Sequence, residues 1–206
     1  MVREQLVGRD VTDEAVLTAM RTVPRHEFVP EKWREFSYDD APLPIGHRQT
    51  ISQPYIVAVM TELAALSPDA RVLEVGTGSG YGAAVLSRVA KRVFTIEILE
   101  PLAVRAQETL RRLGYNNVKV RHGDGYQGWP DEAPFDAIVV TAAPAKIPEP
   151  LKQQLKVGGR LVLPVGERKG RQELRVITRT RQGFRDEFVF RVRFVPMTGE
   201  ASEAER

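Results

Sequence analysis

The chain has 206 residues, 42% hydrophobic and 28% charged, which excludes a disordered chain and allows one ordinary domain with a core of its own. It has no cysteine, which excludes disulfides, thiolate zinc sites and a cysteine nucleophile. Thirty basic against 27 acidic residues leave a formal charge of +3, too even a balance to predict a nucleic-acid partner by itself. Met1-Val2-Arg3-Glu4-Gln5 lacks the apolar core of a secretory signal, and no stretch approaches the ~20 apolar residues of a membrane span. A cytoplasmic protein that does not enter the membrane is therefore expected.

Thr12-Asp13 predicts the cap of a first helix running to about Val23, with Val16, Leu17 and Met20 on one face. Pro24 and Pro30 break the chain. From Tyr38 to Thr50 neither helix nor strand periodicity is present, and Pro42, Pro44 and Gly46 predict an irregular loop of a length that often carries function. Pro54 to Leu66 reads as a helix, with Pro54 in the first turn where proline is tolerated. Short apolar runs then alternate with helical patterns. Strands are predicted at Arg71–Val75, Val93–Ile96, Val118–Val120, Phe135–Val140 and Arg160–Val165. Helices are predicted at Gly80–Ala90, Leu99–Leu113 and Pro148–Leu155. Such alternation implies an α/β fold with a doubly wound, mostly parallel sheet covered on both faces. Leu174–Thr180 and Phe188–Phe194 alternate at period two and predict a C-terminal antiparallel hairpin, with Phe188, Phe190, Val192 and Phe194 on one face. Residues 199–206 read as a frayed polar tail. One domain over 1–206 is expected: a helical and loop region to residue 66, a core over 70–198, and the tail.

The first chemical signal is Leu73-Glu74-Val75-Gly76-Thr77-Gly78-Ser79-Gly80, which leaves a strand and opens a helix. Backbone N–H groups there favour an anionic or nucleotide ligand, although a glycine loop alone is also just a tight strand-to-helix turn. The dinucleotide fingerprint places a third Gly or Ala at position 81, where Tyr81 stands. The run G-x-G-x-G instead resembles the cofactor loop of S-adenosylmethionine-dependent methyltransferases. Glu97 ends the second core strand, where a carboxylate can accept both ribose hydroxyls. Gly123-Asp124-Gly125 ends the third, at the same carboxyl edge, which places Asp124 near the cofactor's base; by itself it would read as a turn aspartate. Glu74, Gly76, Thr77, Gly78, Ser79, Gly80, Glu97, Asp124 and Gly125 are the candidate cofactor residues.

Ile45-Gly-His-Arg-Gln-Thr-Ile-Ser-Gln-Pro-Tyr55 resembles the signature of the protein-L-isoaspartate O-methyltransferases. The resemblance continues through Leu73–Tyr81, Gly123-Asp-Gly125, Ala133-Pro-Phe-Asp-Ala137, Thr141-Ala-Ala143, Gln154–Gly159 and Arg193-Phe-Val-Pro-Met-Thr198, and so covers about Arg25 to Thr198. Arg48 departs from the glycine usual in that family, which bears on the flexibility of the loop, and Met197 from the usual leucine, a near volume-conserving swap. The resemblance implies a Rossmann-like class I methyltransferase fold. It also implies methyl transfer from S-adenosylmethionine to the free α-carboxylate of L-isoaspartyl residues in damaged proteins, whose esters return to succinimide and allow repair. By the same resemblance Ser52 is the catalytic and substrate-site residue, Ile45, Gln49 and Thr50 line the isoaspartyl and cofactor pocket, with Thr50 touching both ligands, and Val195 and Pro196 close it. Without the resemblance, Ser52 reads as the N-cap of the Pro54 helix; with it, Ser52 is a carboxylate anchor at that helix's positive end.

A carboxylate is ionised at neutral pH and needs no general base, so the lack of a Ser-His-Asp set is no objection. His47 reads as a positioning or exposed loop residue, His26 and His122 as structural, and no grouping has metal-ligand spacing. Residues 168–193 carry nine basic and three acidic side chains. That is either the solvent face of edge strands or a nucleic-acid footprint. Two other readings therefore stand beside the first: a methyltransferase redirected to RNA or a small molecule, and a cofactor-binding module without turnover. A monomer with isoaspartyl proteins as partners, and no nucleic acid, is the expectation that goes with the first.

Overall fold

The computed structural model describes residues 1–167 and 170–203. Helix α1 (Glu14–Thr22) begins where expected, because the Asp13 carboxylate accepts from the backbone N–H groups of Ala15 and Val16 at 2.8 and 3.1 Å. Two short 3₁₀ turns follow, Arg25–Phe28 and Glu31–Phe36. The stretch predicted as irregular contains a small antiparallel hairpin, β1 (Leu43–Gly46) and β2 (Gln49–Ile51), with Leu43 opposite Ile51. His47 and Arg48 form its two-residue turn at φ +50° and +59°, the left-handed pair that such turns need. Arg48 thus adopts the conformation for which glycine is favoured, so the departure from the family pattern is accommodated in place at a cost of about 1 kcal/mol.

Helix α2 (Pro54–Leu63) leads to β3 (Arg71–Val75), α3 (Tyr81–Val89), β4 (Arg92–Glu97), α4 (Glu100–Arg112) and β5 (Val118–His122). After a crossing come β6 (Phe135–Val140), the short α5 (Glu149–Gln153), β7 (Leu155–Val165) and the antiparallel β8 (Gln172–Arg179) and β9 (Phe184–Val192), then α6 (Glu200–Glu203). The sheet order is β5-β4-β3-β6-β7-β8-β9, parallel except for the pairings of β7 with β8 and β8 with β9. The chain winds outward from β3 to β5 and then jumps back to the other side of β3. That reversal opens a crevice at the carboxyl ends of β3 and β6.

The near-continuous apolar strands divide their side chains between two cores. Val72, Val93, Ala137, Val139, Val162 and Leu174 face α1, α2 and α3; Leu73, Phe94, Ile138, Val140 and Leu161 face Trp129, Leu151 and Leu155. Burying each larger side chain contributes about 1.5–3 kcal/mol. The N-terminal region is keyed to this core by Phe28, whose ring meets Tyr81 edge-on at 5.7 Å.

Two of these expectations need correction. The β8–β9 pairing slips between Leu174–Phe190 and Arg175–Phe188. One extra residue, Val189, therefore turns Phe188 to the opposite face from Phe190 and leaves it 54% exposed. Residues 199–203 are not a frayed tail: Ala201 is buried, and the Glu200 N–H donates to Asp124 at 2.7 Å. In the basic hairpin Arg175 pairs with Glu173 and Asp186, and Arg185 with Glu187, while Arg168 and Lys169 lie outside the described residues. Among the described residues no helix is long and apolar enough to cross a membrane.

Candidate active site

One cavity at the carboxyl edge of the sheet gathers most of the predicted residues. Gln49, Thr50 and Ser52 approach from the β2–α2 side; Glu74 from the end of β3 and Gly76, Thr77, Gly78 and Ser79 from the loop after it; Glu97, Asp124 and Gly125 from the ends of β4 and β5; Val195 and Pro196 from the C-terminal segment. Ile45 and Gly80 do not line it. Ile45 is fully buried behind the glycine loop, and Gly80 at φ +89° opens α3 against Leu110.

The loop's backbone geometry explains its glycines. Gly76 has φ +96°, and a Cβ there would lie 2.3 Å from Thr141 Oγ1, whose hydroxyl donates to the Gly76 carbonyl at 2.7 Å. Glu97 fixes the loop from the next strand: its Oε2 accepts from the Gly78 N–H at 2.8 Å and its Oε1 from the Leu99 N–H at 3.0 Å. Thr77 turns its side chain inward, with its hydroxyl 2.6 Å from that of Thr95, so only its backbone faces the cavity. Asp124 accepts from the Tyr126 N–H through Oδ1 and from the Glu200 N–H through Oδ2, and so ties the C-terminal segment to the cavity wall.

Ser52 is half-buried beside this cavity and a smaller one behind it, and among the described residues its hydroxyl has no protein hydrogen-bond partner. It does not cap α2. Gln53 occupies the cap position, and the first turn is satisfied by Asp40, which accepts from the Tyr55 N–H at 3.1 Å and from Gln53 Nε2 at 2.6 Å. Arg9 binds the same carboxylate at 2.6 Å. The positive end of α2 is therefore already filled by a protein anion, and the Ser52 hydroxyl, rather than that helix terminus, is what the site offers to a carboxylate.

Sequence reasoning missed Val57, Tyr81, Gly82, Ile98, Thr141, Ala142, Met197 and Thr198 as cavity-lining residues, and Asp40 as the α2 cap. Thr141 and Met197 stood inside quoted motifs, whereas Asp40 had no signal because its partners lie 13 and 15 residues away across the hairpin. His47 is exposed at the hairpin tip; His26 lies 2.6 Å from the Tyr38 hydroxyl and His122 bonds the Ile98 carbonyl.

A glycine loop at the switch point, a carboxylate at the end of β4 and an antiparallel hairpin closing a parallel sheet define a class I methyltransferase. Its bare loop backbone and the β4 carboxylate suit S-adenosylmethionine, which this family uses: the loop admits close approach, and Glu97 retains lone pairs for hydroxyl donors. The family model for Protein-L-isoaspartate(D-aspartate) O-methyltransferase matches residues 1–202, and the chain belongs to that family. It is 58% identical over 200 residues to the protein-L-isoaspartate O-methyltransferase of Gloeobacter violaceus, covering 97% of this chain and 98% of the relative. It is 59% identical over 201 residues to protein-L-isoaspartate O-methyltransferase 2 of Shewanella sediminis, covering 98% and 82%. Among solved structures, a protein-L-isoaspartate O-methyltransferase superposes with a TM-score of 0.88 at 30% identity, over 98% of this chain and 67% of that one. A Plasmodium falciparum structure described as a beta-aspartate methyltransferase (PCMT) in complex with S-adenosyl-L-homocysteine gives 0.82 at 29% identity, over 96% of each chain.

Proposed function

We infer that the chain transfers a methyl group from S-adenosylmethionine to the free α-carboxylate of L-isoaspartyl residues in damaged proteins and peptides, starting their return to succinimide. The observation that carries the assignment of roles is the single cavity in which the glycine loop and Glu97 meet Ser52 and the Val195–Pro196 segment. S-adenosylmethionine, when bound, supplies a methyl group on a positively charged sulfur.

The residues of the chain then have two tasks. Ser52 donates its unused hydroxyl to one oxygen of the incoming carboxylate and leaves the other free to attack. Gln49, Thr50, Val195 and Pro196 wall the substrate side and exclude water, which matters because both reacting groups lose charge as the bond forms. A carboxyl group with a reference pKa near 4 is already ionised, so no side chain has to remove a proton. Gly76, Gly78, Glu97 and Asp124 hold the cofactor side. The chain works as a monomer in the cytoplasm on this reading, which its lack of cysteine supports.

The test is methyl transfer from labelled S-adenosylmethionine to matched peptides containing isoaspartate or aspartate. Base-labile label in the isoaspartyl peptide alone is the expected result. Label in neither peptide, with S-adenosyl-L-homocysteine binding intact, would overturn the reading.

A further inference from the structure

Among the described residues the Ser52 hydroxyl has no protein partner, so its aim is set by what holds the backbone on either side of it. On the near side Ile51 is buried and pairs with Leu43 across the hairpin. On the far side one carboxylate holds both Gln53 and Tyr55. Asp40 accepts from Gln53 Nε2 at 2.6 Å through Oδ2 and from the Tyr55 N–H at 3.1 Å through Oδ1. It thus grips the chain at the first and third residues after Ser52, while lining neither cavity itself.

A helix cap needs only the bond to Tyr55. The structure builds more than that. Oδ2 takes a second donor, Arg9 Nη1 at 2.6 Å, and the Arg9 guanidinium lies 3.6 Å over the Tyr55 ring, so Arg9 clamps the first turn of α2 from outside. The loop that presents Asp40 is itself tied down at several points. Arg25 Nε donates to the Ser37 carbonyl at 2.7 Å, Gln5 Nε2 donates to the Tyr38 carbonyl at 3.0 Å, and His26 Nδ1 lies 2.6 Å from the Tyr38 hydroxyl. Arg25 is fully buried, with its guanidinium 4.8 Å over the ring of Tyr81, a residue of the cavity wall. Burying a guanidinium is expensive, and a lone helix cap does not require it. The charge on Asp40 is answered by Arg9, so the assembly adds no net charge beside a cavity that takes an anion against the positive sulfur of the cofactor.

We propose that Asp40 is a further positioning residue for the methyl transfer: held by Arg9 and holding Gln53 and the first turn of α2 together, it fixes the segment on which Ser52 stands and so aims the Ser52 hydroxyl at the isoaspartyl carboxylate. Asp40 touches neither substrate nor cofactor. Its contribution passes through Ser52 and is bounded by what Ser52 contributes, whereas a cap that served only the stability of α2 has no such bound. The aim matters because a small misplacement of a group that orients a reactant is costly in rate. The assignment rests on the site reading above, in which Ser52 receives the substrate.

The test is a double-mutant cycle on the full chain, read as kcat/KM for an isoaspartyl peptide. Asp40→Ala alone is expected to lower kcat/KM about fivefold, and by no more than Ser52→Ala does, with S-adenosyl-L-homocysteine affinity kept within about twofold. In the Ser52→Ala background the same substitution is expected to change kcat/KM by less than about twofold, because no hydroxyl is left to aim. Losses that multiply in the double variant overturn the proposal, as does Asp40→Ala with wild-type kcat/KM. A double variant more active than Ser52→Ala overturns it as well, since the freed N-terminus of α2 would then be receiving the carboxylate itself. Should Asp40→Ala fail to fold, Gln53→Ala removes the bond next to Ser52 and leaves the Tyr55 cap in place; a loss in the wild-type background and none in the Ser52→Ala background is expected, and equal losses in both overturn the proposal. The site reading fails separately: Ser52→Ala alone then leaves peptide methylation unchanged, whereas the proposal about Asp40 fails with the Ser52→Ala loss intact.

Discussion

The two sides of the cavity are built by different means. The side we assign to the cofactor consists of neighbouring strand ends in the parallel part of the sheet, where Gly76, Glu97 and Asp124 are placed by the register of β3, β4 and β5. The side we assign to the substrate consists of two segments from outside the parallel strands: the β1–β2 hairpin with Ser52, and residues 195–200. The latter run beside the end of β6, with the Ala143 N–H donating to the Val195 carbonyl and the Met197 N–H to the Ala143 carbonyl, both at 2.8 Å. The first half gains precision from a ladder shared with the core. The second depends on a few hydrogen bonds that local opening can break without unfolding the sheet.

Matched glycines give the sharpest test of that contrast. Gly76 and Gly46 have nearly the same φ, +96° and +93°, but a Cβ on Gly76 strikes Thr141 whereas one on Gly46 meets nothing within 4 Å. Gly76→Ala is expected to cost about 3 kcal/mol in urea unfolding, and Gly46→Ala about 1 kcal/mol, the strain of a left-handed non-glycine residue alone. Equal losses would break the contrast. Next in size, Glu97→Ala removes a buried acceptor of two loop N–H groups and should weaken S-adenosylmethionine binding by about 1–3 kcal/mol in calorimetry. Ser52→Ala should lower kcat/KM for an isoaspartyl peptide about tenfold or more while leaving S-adenosyl-L-homocysteine affinity within about twofold, since it deletes one hydrogen bond to a charged group. The smallest effect is expected at Gly199, at φ +78°, where a Cβ would lie 2.2 Å from Asp124 Oδ2. Gly199→Ala should displace the C-terminal segment and raise the peptide KM a few-fold, about the worth of a single hydrogen bond, with little change in thermal stability.

That Gly76, Glu97 and Asp124 meet in one cavity was legible because each follows its own strand within a few residues. A glycine loop after an apolar run and a carboxylate at the end of the next strand need only the winding rule to bring them together. The strands themselves were readable from their apolar runs, and α1 from Asp13. The β1–β2 hairpin was not: Leu43 and Ile45 do alternate with exposed Pro44 and Gly46, but four and three residues are too few to set a period against the turn signal of that proline and glycine. Phe188 was placed on the wrong face because a bulge changes the parity of every residue beyond it, and nothing local to Phe188 marks Val189 as the extra one.

By itself, then, the sequence determined the α/β winding, the glycine loop and the identity of the groups at the strand ends, since these follow from local periodicity and turn chemistry. Only the tertiary structure decided what each polar group faces. Asp40, not a substrate, fills the N-terminus of α2; Asp124 holds the C-terminal segment; and Glu74, one residue from the loop it was grouped with, sits between Thr95 and a bare stretch of α3. The reason is that a side chain's hydrogen-bond partners come from residues tens of positions away: both carboxyl groups are buried in the same wall, but Glu97 receives two backbone N–H groups and Glu74 one hydroxyl.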